Sequence, residues 1–574
     1  MLCLNIGEAI EMNKDKRKFT VPLAISMLLL SGGIVQAAPA DADNTGIEMR
    51  RQREEAEWER IRQQMEDDRR AQQENIQDNR QKKEEQSGDN VKLLLKDVQV
   101  DSSAIIGEEK IKEIIAPYVG REVSIADLNE MVDKFNEVYA AGGYVTCKAY
   151  LPLQKITEGI VHVGLIEGTV GEVSISGNKH TSGKYVRHRL SLSKGQIPNI
   201  HILNKEIYRF NVSNDAPLHV TMQAGKEQGT TDYEIIVREP PKNDTVFIFA
   251  DNSGSISTGE WREGLYYTRR SLTGRRDALS LGYNRAKGMD KGNLSYATPI
   301  GRNGGRLFFD YSSSVSKMIA DNLRALDSRG HGWYAGISYL QPLIVNNTTR
   351  TEFRVGGYHQ KSQTDMLQGA QKWIDNRANN LYLSFAMTSY GKSSVFYHRH
   401  YYGIGHINAY NTAAAGYNSR DYGLYRMNGF YQKVWKNGHT FSARLDMQLA
   451  SRKDIPSAEQ FFLGGVNSVR GYKQDIIGGD NGLSGSLEYA LPLDRNRRTM
   501  LYGFFDYGTL LGDNDYEDNQ LESLGLGVRS SLKRKADSDQ SIFLNLSVGF
   551  PLKRELNMTT YSKCRVDFSM SMQF

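Results

Sequence analysis

The chain has 574 residues, with 72 Lys and Arg against 67 Asp and Glu and a net charge of +5. That length calls for several domains, and the near balance of acids and bases gives no case for nucleic acid. Past the N-terminus there is no apolar run of about eighteen residues, which excludes helical membrane spans. Alternating barrel strands escape that test, because every second residue is polar.

The first forty or so residues read as a signal peptide, residues 1–40. Lys14, Lys16, Arg17 and Lys18 make a basic start, residues 21–34 are apolar, and Ala37, Ala38 and Ala40 suit cleavage. Met12 opens a more typical signal than Met1. The protein is therefore expected to be exported. Cys3 would be removed, and Cys147 and Cys564 fall in different segments, with no metal spacing or disulfide framework.

Residues 41–90 form one polar, largely helical segment in this reading. From 47 to 86 the composition turns to Glu, Arg, Gln, Asp and Lys without Pro, all good helix formers. Glu66 and Arg70 are spaced i, i+4, and Arg51 lies beside Glu55. Apolar positions are few and no heptad is sustained. Such a segment serves as a solvated helix or charged tail, or as a helix housed in a polar barrel lumen.

Residues 91–168 and 169–242 look like two small α/β modules in tandem. The first opens with a strand at 91–100. Helical spacing follows over 105–119 and 125–140, where Leu128, Met131, Val132, Phe135 and Val138 share a face. The chain returns through Gly143-Tyr144-Val145-Thr146, Leu151-Pro152 and residues 159–168. The second module repeats the order with a strand at 170–178, helical stretches near 185–192 and 202–211, and strands at 220–222 and 233–237. Pro240-Pro241 ends it. Strand-helix-helix-strand-strand resembles a POTRA domain, which binds extended peptides by adding a strand at a sheet edge.

From 243 to 574 the pattern is short alternating strands between Gly, Asn, Asp and Ser clusters. Leu381, Leu383, Phe385 and Met387 alternate with Tyr382, Ser384, Ala386 and Thr388, and Phe568, Met570 and Met572 alternate with Asp567, Ser569 and Ser571. This is lipid-out, lumen-in patterning over about sixteen strands. His398 and His400 share one strand face and read as lumen or rim residues. The last strand ends on Phe574.

One stretch in that region is not strand-like. Residues 452–482 are rich in Gly and small polar residues and carry Val469-Arg470-Gly471-Tyr472, too long for an ordinary barrel turn. On the same count this loop joins strands eleven and twelve. On the thirteenth strand, Phe504, Asp506 and Gly508 share a face. An unpaired carboxylate there is costly in lipid, so that face is the lumen and Arg470 is the expected partner.

The pair of motifs, Val-Arg-Gly-Tyr followed by Phe-x-Asp-x-Gly, resembles the outer-membrane transporters of two-partner secretion, the TpsB family. The resemblance implies α+β periplasmic modules, a transmembrane antiparallel β-barrel and an N-terminal plug helix. It also implies a pore that takes a large exported partner of haemolysin, adhesin or contact-dependent toxin type in the periplasm. The partner would be passed unfolded across the outer membrane without ATP. Val469, Arg470, Gly471, Tyr472, Phe504, Asp506 and Gly508 would lock the loop to the barrel, and Phe574 would be read by the barrel assembly machinery. The lumen is expected to be watery, leaving the Arg470–Asp506 pair worth about 1 kcal/mol. No catalytic constellation, cofactor or metal is expected, and no phosphate-binding loop is visible. An assembly insertase of the same superfamily is the alternative, though it carries more modules. A passive porin would need none.

Overall fold

In the computed structural model the described residues are 43–71, 76–78, 92–156, 158–255, 257–320, 327–369, 371–411, 416–512, 516–533, 541–557 and 559–574. The expected signal peptide and residues 79–91 of the linker lie outside them. The first element is helix α1 (Asn44–Ala71), followed by a short strand β1 (Ile76–Asp78). Of the helix expected over 47–86, residues 47–71 are helical and residues 76–78 are strand, with Ile76 packed on the core of the second module. Apolar burial of one residue there outweighs the small helix preference of the polar tract.

The first module comprises β2 (Lys92–Leu94), β3 (Asp97–Val100), α2 (Glu108–Ile115), β4 (Glu122–Ser124), α3 (Ile125–Ala141), β5 (Cys147–Tyr150) and β6 (Ile160–Glu167). The single strand expected over 91–100 is two: β2 pairs with β4, and β3 runs parallel to β6. Leu95 is fully buried between them, and its N–H and that of Lys96 bond to Arg121 and Gly159 carbonyls, which turns the chain from one sheet to the other. Residues 142–146 form a turn rather than a strand. Helix α3 begins with a reciprocal capping box between Ser124 and Asp127. Leu128, Met131, Val132 and Phe135 on one face enter the core.

The second module repeats the plan with β7 (Thr169–Ser176), α4 (Gly183–Arg187), α5 (Ile200–Ser213), β8 (Leu218–Ala224) and β9 (Thr230–Val237). Its sheet order is β1-β8-β9-β7, so β1 lies parallel along the outer edge of β8, Gln77 opposite Thr221. The modules share a device. Asn136 of α3 gives and takes hydrogen bonds with the backbone of Ala149 on β5 (3.3 and 2.8 Å), and Asn211 of α5 does so with Leu218 on β8 (3.1 and 2.7 Å). A side-chain amide thus stands in for one residue of a neighbouring strand.

The barrel strands are β10 (Asp244–Asp251), β11 (Arg262–Arg270), β12 (Ala278–Ala286), β13 (Met289–Ile300), β14 (Gly305–Lys317), β15 (Arg329–Val345), β16 (Thr349–Met366), β17 (Gln371–Tyr390), β18 (Ser394–Asn411), β19 (Gly416–Val434) and β20 (Thr440–Ala450). A loop holding β21 (Phe461–Leu463) and β22 (Ile477–Gly479) intervenes. Then come β23 (Gly482–Pro492), β24 (Thr499–Leu510), β25 (Gln520–Lys533), β26 (Ser541–Pro551), the small hairpin β27 (Glu555–Leu556) and β28 (Thr559–Thr560), and β29 (Arg565–Gln573). Sixteen of these close into one antiparallel barrel, β10 meeting β29. Five residue pairs make that seam, and the Asn252 amide prolongs it, bonding the Val566 carbonyl and the Phe568 N–H at 2.9 Å each.

The outer face is apolar: Leu381, Leu383 and Phe385 are exposed there, while Ala378, Asn380, Ser384 and Ala386 are buried inward. The second module sits against the periplasmic turns. Ser182 N–H bonds the Gly274 carbonyl at 2.7 Å, and Arg276 pairs with Asp215 at 2.5 Å.

Candidate functional site in the barrel lumen

The loop between β20 and β23 folds inward. Its hairpin of β21 and β22 packs Phe461, Leu463, Val469, Tyr472, Ile476 and Ile477 against Leu510 and Leu521 of the wall. At its tip the Arg470 guanidinium takes both carboxylate oxygens of Asp506, Nε to Oδ2 at 2.7 Å and Nη2 to Oδ1 at 2.8 Å, while the Arg470 backbone N–H donates to Oδ2 at 3.0 Å. Its remaining donors reach Glu488 (3.2 Å) and Ser486 (3.0 Å), and the guanidinium lies 3.5 Å over the Phe504 ring.

Val469, Arg470, Gly471, Tyr472, Phe504, Asp506 and Gly508 thus meet at one place. Tyr472 Oη donates to the Lys553 carbonyl at 2.6 Å. Gly471 has φ +87°, and a Cβ on it would lie 2.9 Å from the Gly549 backbone; one on Gly508 would lie 2.6 Å from Leu463. Loop and wall touch there without room for a side chain. Phe574 lies apart, at the seam: its N–H donates to the Val246 carbonyl at 2.9 Å.

The site is dry, contrary to the expectation of a watery lumen. Arg470 is 4% exposed and Asp506 1%. The loop hairpin and the wall close over the pair, so the surface value of about 1 kcal/mol does not apply. Removing one member strands a buried charge, which costs about 3–5 kcal/mol.

Helix α1 runs down the lumen beside this loop. At the extracellular end the Asp43 carboxylate bonds Ser362 and Thr45 lies 3.1 Å from Ser316; at the periplasmic end Asp68 takes Arg350 (2.7 Å) and the Tyr390 hydroxyl (2.7 Å). Between them Glu55 meets Arg262 at 3.3 Å, and Glu57 meets Arg354 at 3.0 Å and Arg399 at 2.5 Å. Arg51 pairs with Asp475 of the loop. Trp58, Ile61 and Met65 make one small apolar contact with Val395, Tyr397 and Phe430. At about 1.5 Å per residue the helix spans the height of the barrel.

His398 and His400 are not in the lumen. Their neighbours Val395 and Tyr397 are buried inward, whereas Phe396, Tyr402 and Ile404 on the histidines' own parity are exposed outward. Strand parity therefore puts both rings on the outer wall, where His400 Nδ1 lies 2.9 Å from Tyr425 Oη.

Residues 231–565 match the family model of the haemolysin secretion/activation protein ShlB/FhaC/HecB, and residues 93–168 match the ShlB-type POTRA domain. The chain belongs to this family. It is a two-partner secretion transporter of the diderm outer membrane, with POTRA modules in the periplasm and a large secreted protein as its partner. The heme/hemopexin transporter protein HuxB of Haemophilus influenzae is 25% identical to the transporter over 501 residues, covering 81% of this chain and 85% of HuxB. The outer membrane transporter CdiB of Escherichia coli is 22% identical over 476 residues, 76% of each chain. The solved structure of CdiB from Escherichia coli has a TM-score of 0.66 at 17% identity, covering 94% of this chain and all of that one, and shows the shared fold.

Sequence reasoning missed several lumen residues of the transporter. Glu488 and Ser486 share the inward parity of β23, so the argument that found Asp506 could have found them; Glu488 in turn pairs with Arg529. Glu459 gave no such signal. It lies fully buried in a short turn of the loop, held by Arg53 of α1 (2.9 Å), Arg426 of the wall (2.7 Å) and the Tyr358 hydroxyl (2.9 Å).

Proposed function

We propose that the lumen is the secretion path, that α1 is a removable plug, and that the Arg470–Asp506 contact holds the loop in place while the plug is out. The observation that carries this is the way α1 is held. Its contacts with the wall are mostly ion pairs and hydrogen bonds, each of which water and a passing chain can replace, rather than a continuous apolar seam. The loop is held oppositely, by an apolar cluster and a dry charge cluster.

In this reading residues 1–40 are a signal peptide, 41–90 the plug and linker, 91–168 and 169–242 the capture modules, and 243–574 the pore. The partner enters unfolded and its folding outside biases movement, with no covalent step by the transporter. An insertase reading would not need a lumen-length helix. The test is a reducible bis-maleimide cross-link between Asp68→Cys and Arg350→Cys, in a Cys564→Ser background, long enough to replace the span of the Arg350 side chain and pin the plug to the wall. Secretion is expected to stop once the cross-link forms and return when it is reduced. Continued secretion with the cross-link formed would show that the partner does not need the space α1 fills.

A further inference from the structure

One cation joins the plug, the barrel wall and the second module. Arg350, the second residue of β16, stands at the periplasmic end of the lumen and is 7% exposed. Its Nη1 donates to Asp68 of α1 at 2.7 Å and to the Val212 carbonyl of α5 at 3.0 Å, and its Nε donates to Glu352 of the wall at 3.0 Å. Asp68, Glu352 and Val212 are all buried.

Two helices end on this guanidinium. Val212 lies in the last turn of α5, whose final carbonyls have no partner within the helix. Asp68 lies in the last turn of α1, where the helix dipole disfavours a carboxylate. Arg350 satisfies the one and neutralises the other. The pair with Asp68 holds firmly only while it is dry, because an ion pair reached by water contributes little.

The end of α5 helps to keep it dry. This helix packs against α1, and two of its side chains dock on the periplasmic turns of the barrel. Tyr208 Oη donates to the Asn346 carbonyl at 2.8 Å, and Arg209 Nη1 donates to Asn303 Oδ1 at 2.9 Å. Both bonds are open to the periplasm, so a shift of the module exchanges them for water at small cost. The same turn of α5 reaches the sheet edge. Asn211, next to Val212, holds the Leu218 backbone at the start of β8, beside the stretch paired with β1. A strand exchanged on that edge therefore acts one residue from the carbonyl that Arg350 holds.

We propose that Arg350 is the latch through which the second module keeps the plug in place. With the module docked, the end of α5 shields the Arg350–Asp68 pair and shares its guanidinium. When the module shifts on taking the partner, water enters the junction, the pair weakens and α1 is released. This rests on the reading of α1 as a removable plug. Arg350 is a positioning residue, acting on the pore through Asp68.

The test uses the full chain in planar bilayers, read as the frequency of channel opening without partner. Arg209→Ala with Asn303→Ala removes a docking contact without touching Arg350 or Asp68, and should raise opening about tenfold. Tyr208→Phe, which keeps the ring and loses the Asn346 bond, serves if that pair does not give heat-modifiable barrel. Asp68→Asn should raise opening directly, and adding the undocking pair to it should raise it no further. Wild-type opening in the undocked variants, with a channel that opens on deletion of residues 44–71, would overturn the latch and leave the plug standing. Wild-type opening in the deletion as well would overturn both. A further rise on combining Asp68→Asn with undocking would show that module and latch act separately, which overturns the coupling.

Discussion

Arg470 and Asp506 share two side-chain hydrogen bonds and a third from the Arg470 backbone N–H, and none of this contact is open to water. Arg470→Ala or Asp506→Ala leaves a buried charge without its partner, at a cost of about 3–5 kcal/mol concentrated on the loop. Each single variant should lose most secretion while the barrel stays folded and heat-modifiable. The double variant should be no worse than either single one. Arg470→Lys should fail nearly as badly, because an ammonium cannot bridge both oxygens and also reach Ser486 and Glu488. Additive losses in a secretion assay would show that the two residues act separately.

Gly471 and Gly549 press backbone on backbone. A Cβ on Gly549 would lie 2.5 Å from the Gly471 nitrogen, and Gly471 itself has φ +87°. Gly471→Ala and Gly549→Ala should each displace the loop tip, at about 1–3 kcal/mol or more for the strained position. Protease cleavage of the loop in assembled barrels, expected to rise with both variants, checks this; unchanged protection would count against loop docking at this point.

Deleting residues 44–71 removes α1 and opens the lumen. Single-channel conductance in planar bilayers should rise, along with outer-membrane permeability to bulky antibiotics, while the barrel still inserts. Wild-type conductance in the deletion would mean that something other than α1 closes the pore.

Strand β1 occupies the β8 edge that an incoming segment of the partner would use for strand addition. A disulfide between Gln77→Cys and Thr221→Cys, in a Cys564→Ser background, should block secretion until reduced. Secretion by the oxidised form would place capture elsewhere, with the β5 edge of the first module as the next site to examine.

Glu167 ties the first module together, accepting from Ser103 Oγ at 2.5 Å, Ala104 N–H at 2.9 Å and Tyr139 Oη at 3.0 Å. Burial alone would raise its carboxyl, but the bonds from Ser103, Ala104 and Tyr139 hold it below the usual range. A folded value below the unfolded one contributes stability that is present above the unfolded value of about 4.3 and lost as pH falls through the folded value. Hydrogen exchange on the full chain should show α3 and β6 losing protection in acid, and Glu167→Gln should flatten that dependence. An unchanged acid response in the variant would assign it to another carboxylate.

Alternation along the chain determined the barrel, because a strand with lipid on one side and lumen on the other must repeat with period two, as Leu381 to Thr388 and Phe568 to Ser571 do. The same parity put Asp506 on the inside, and the cost of a lone carboxylate pointed to Arg470. Three things were decided only by the tertiary structure. Residues 76–78 are strand rather than helix because the module sheet offers Ile76 a place to bury, which no property of the polar tract itself predicts. Glu459 becomes a hub because Arg53 of α1, 406 residues away in sequence, and Arg426 of the wall, 33 residues away, converge on it. The Arg470 site is dry because the loop hairpin packs its apolar side chains against the wall around it, and the packing of one element against another is not written in the pattern of either.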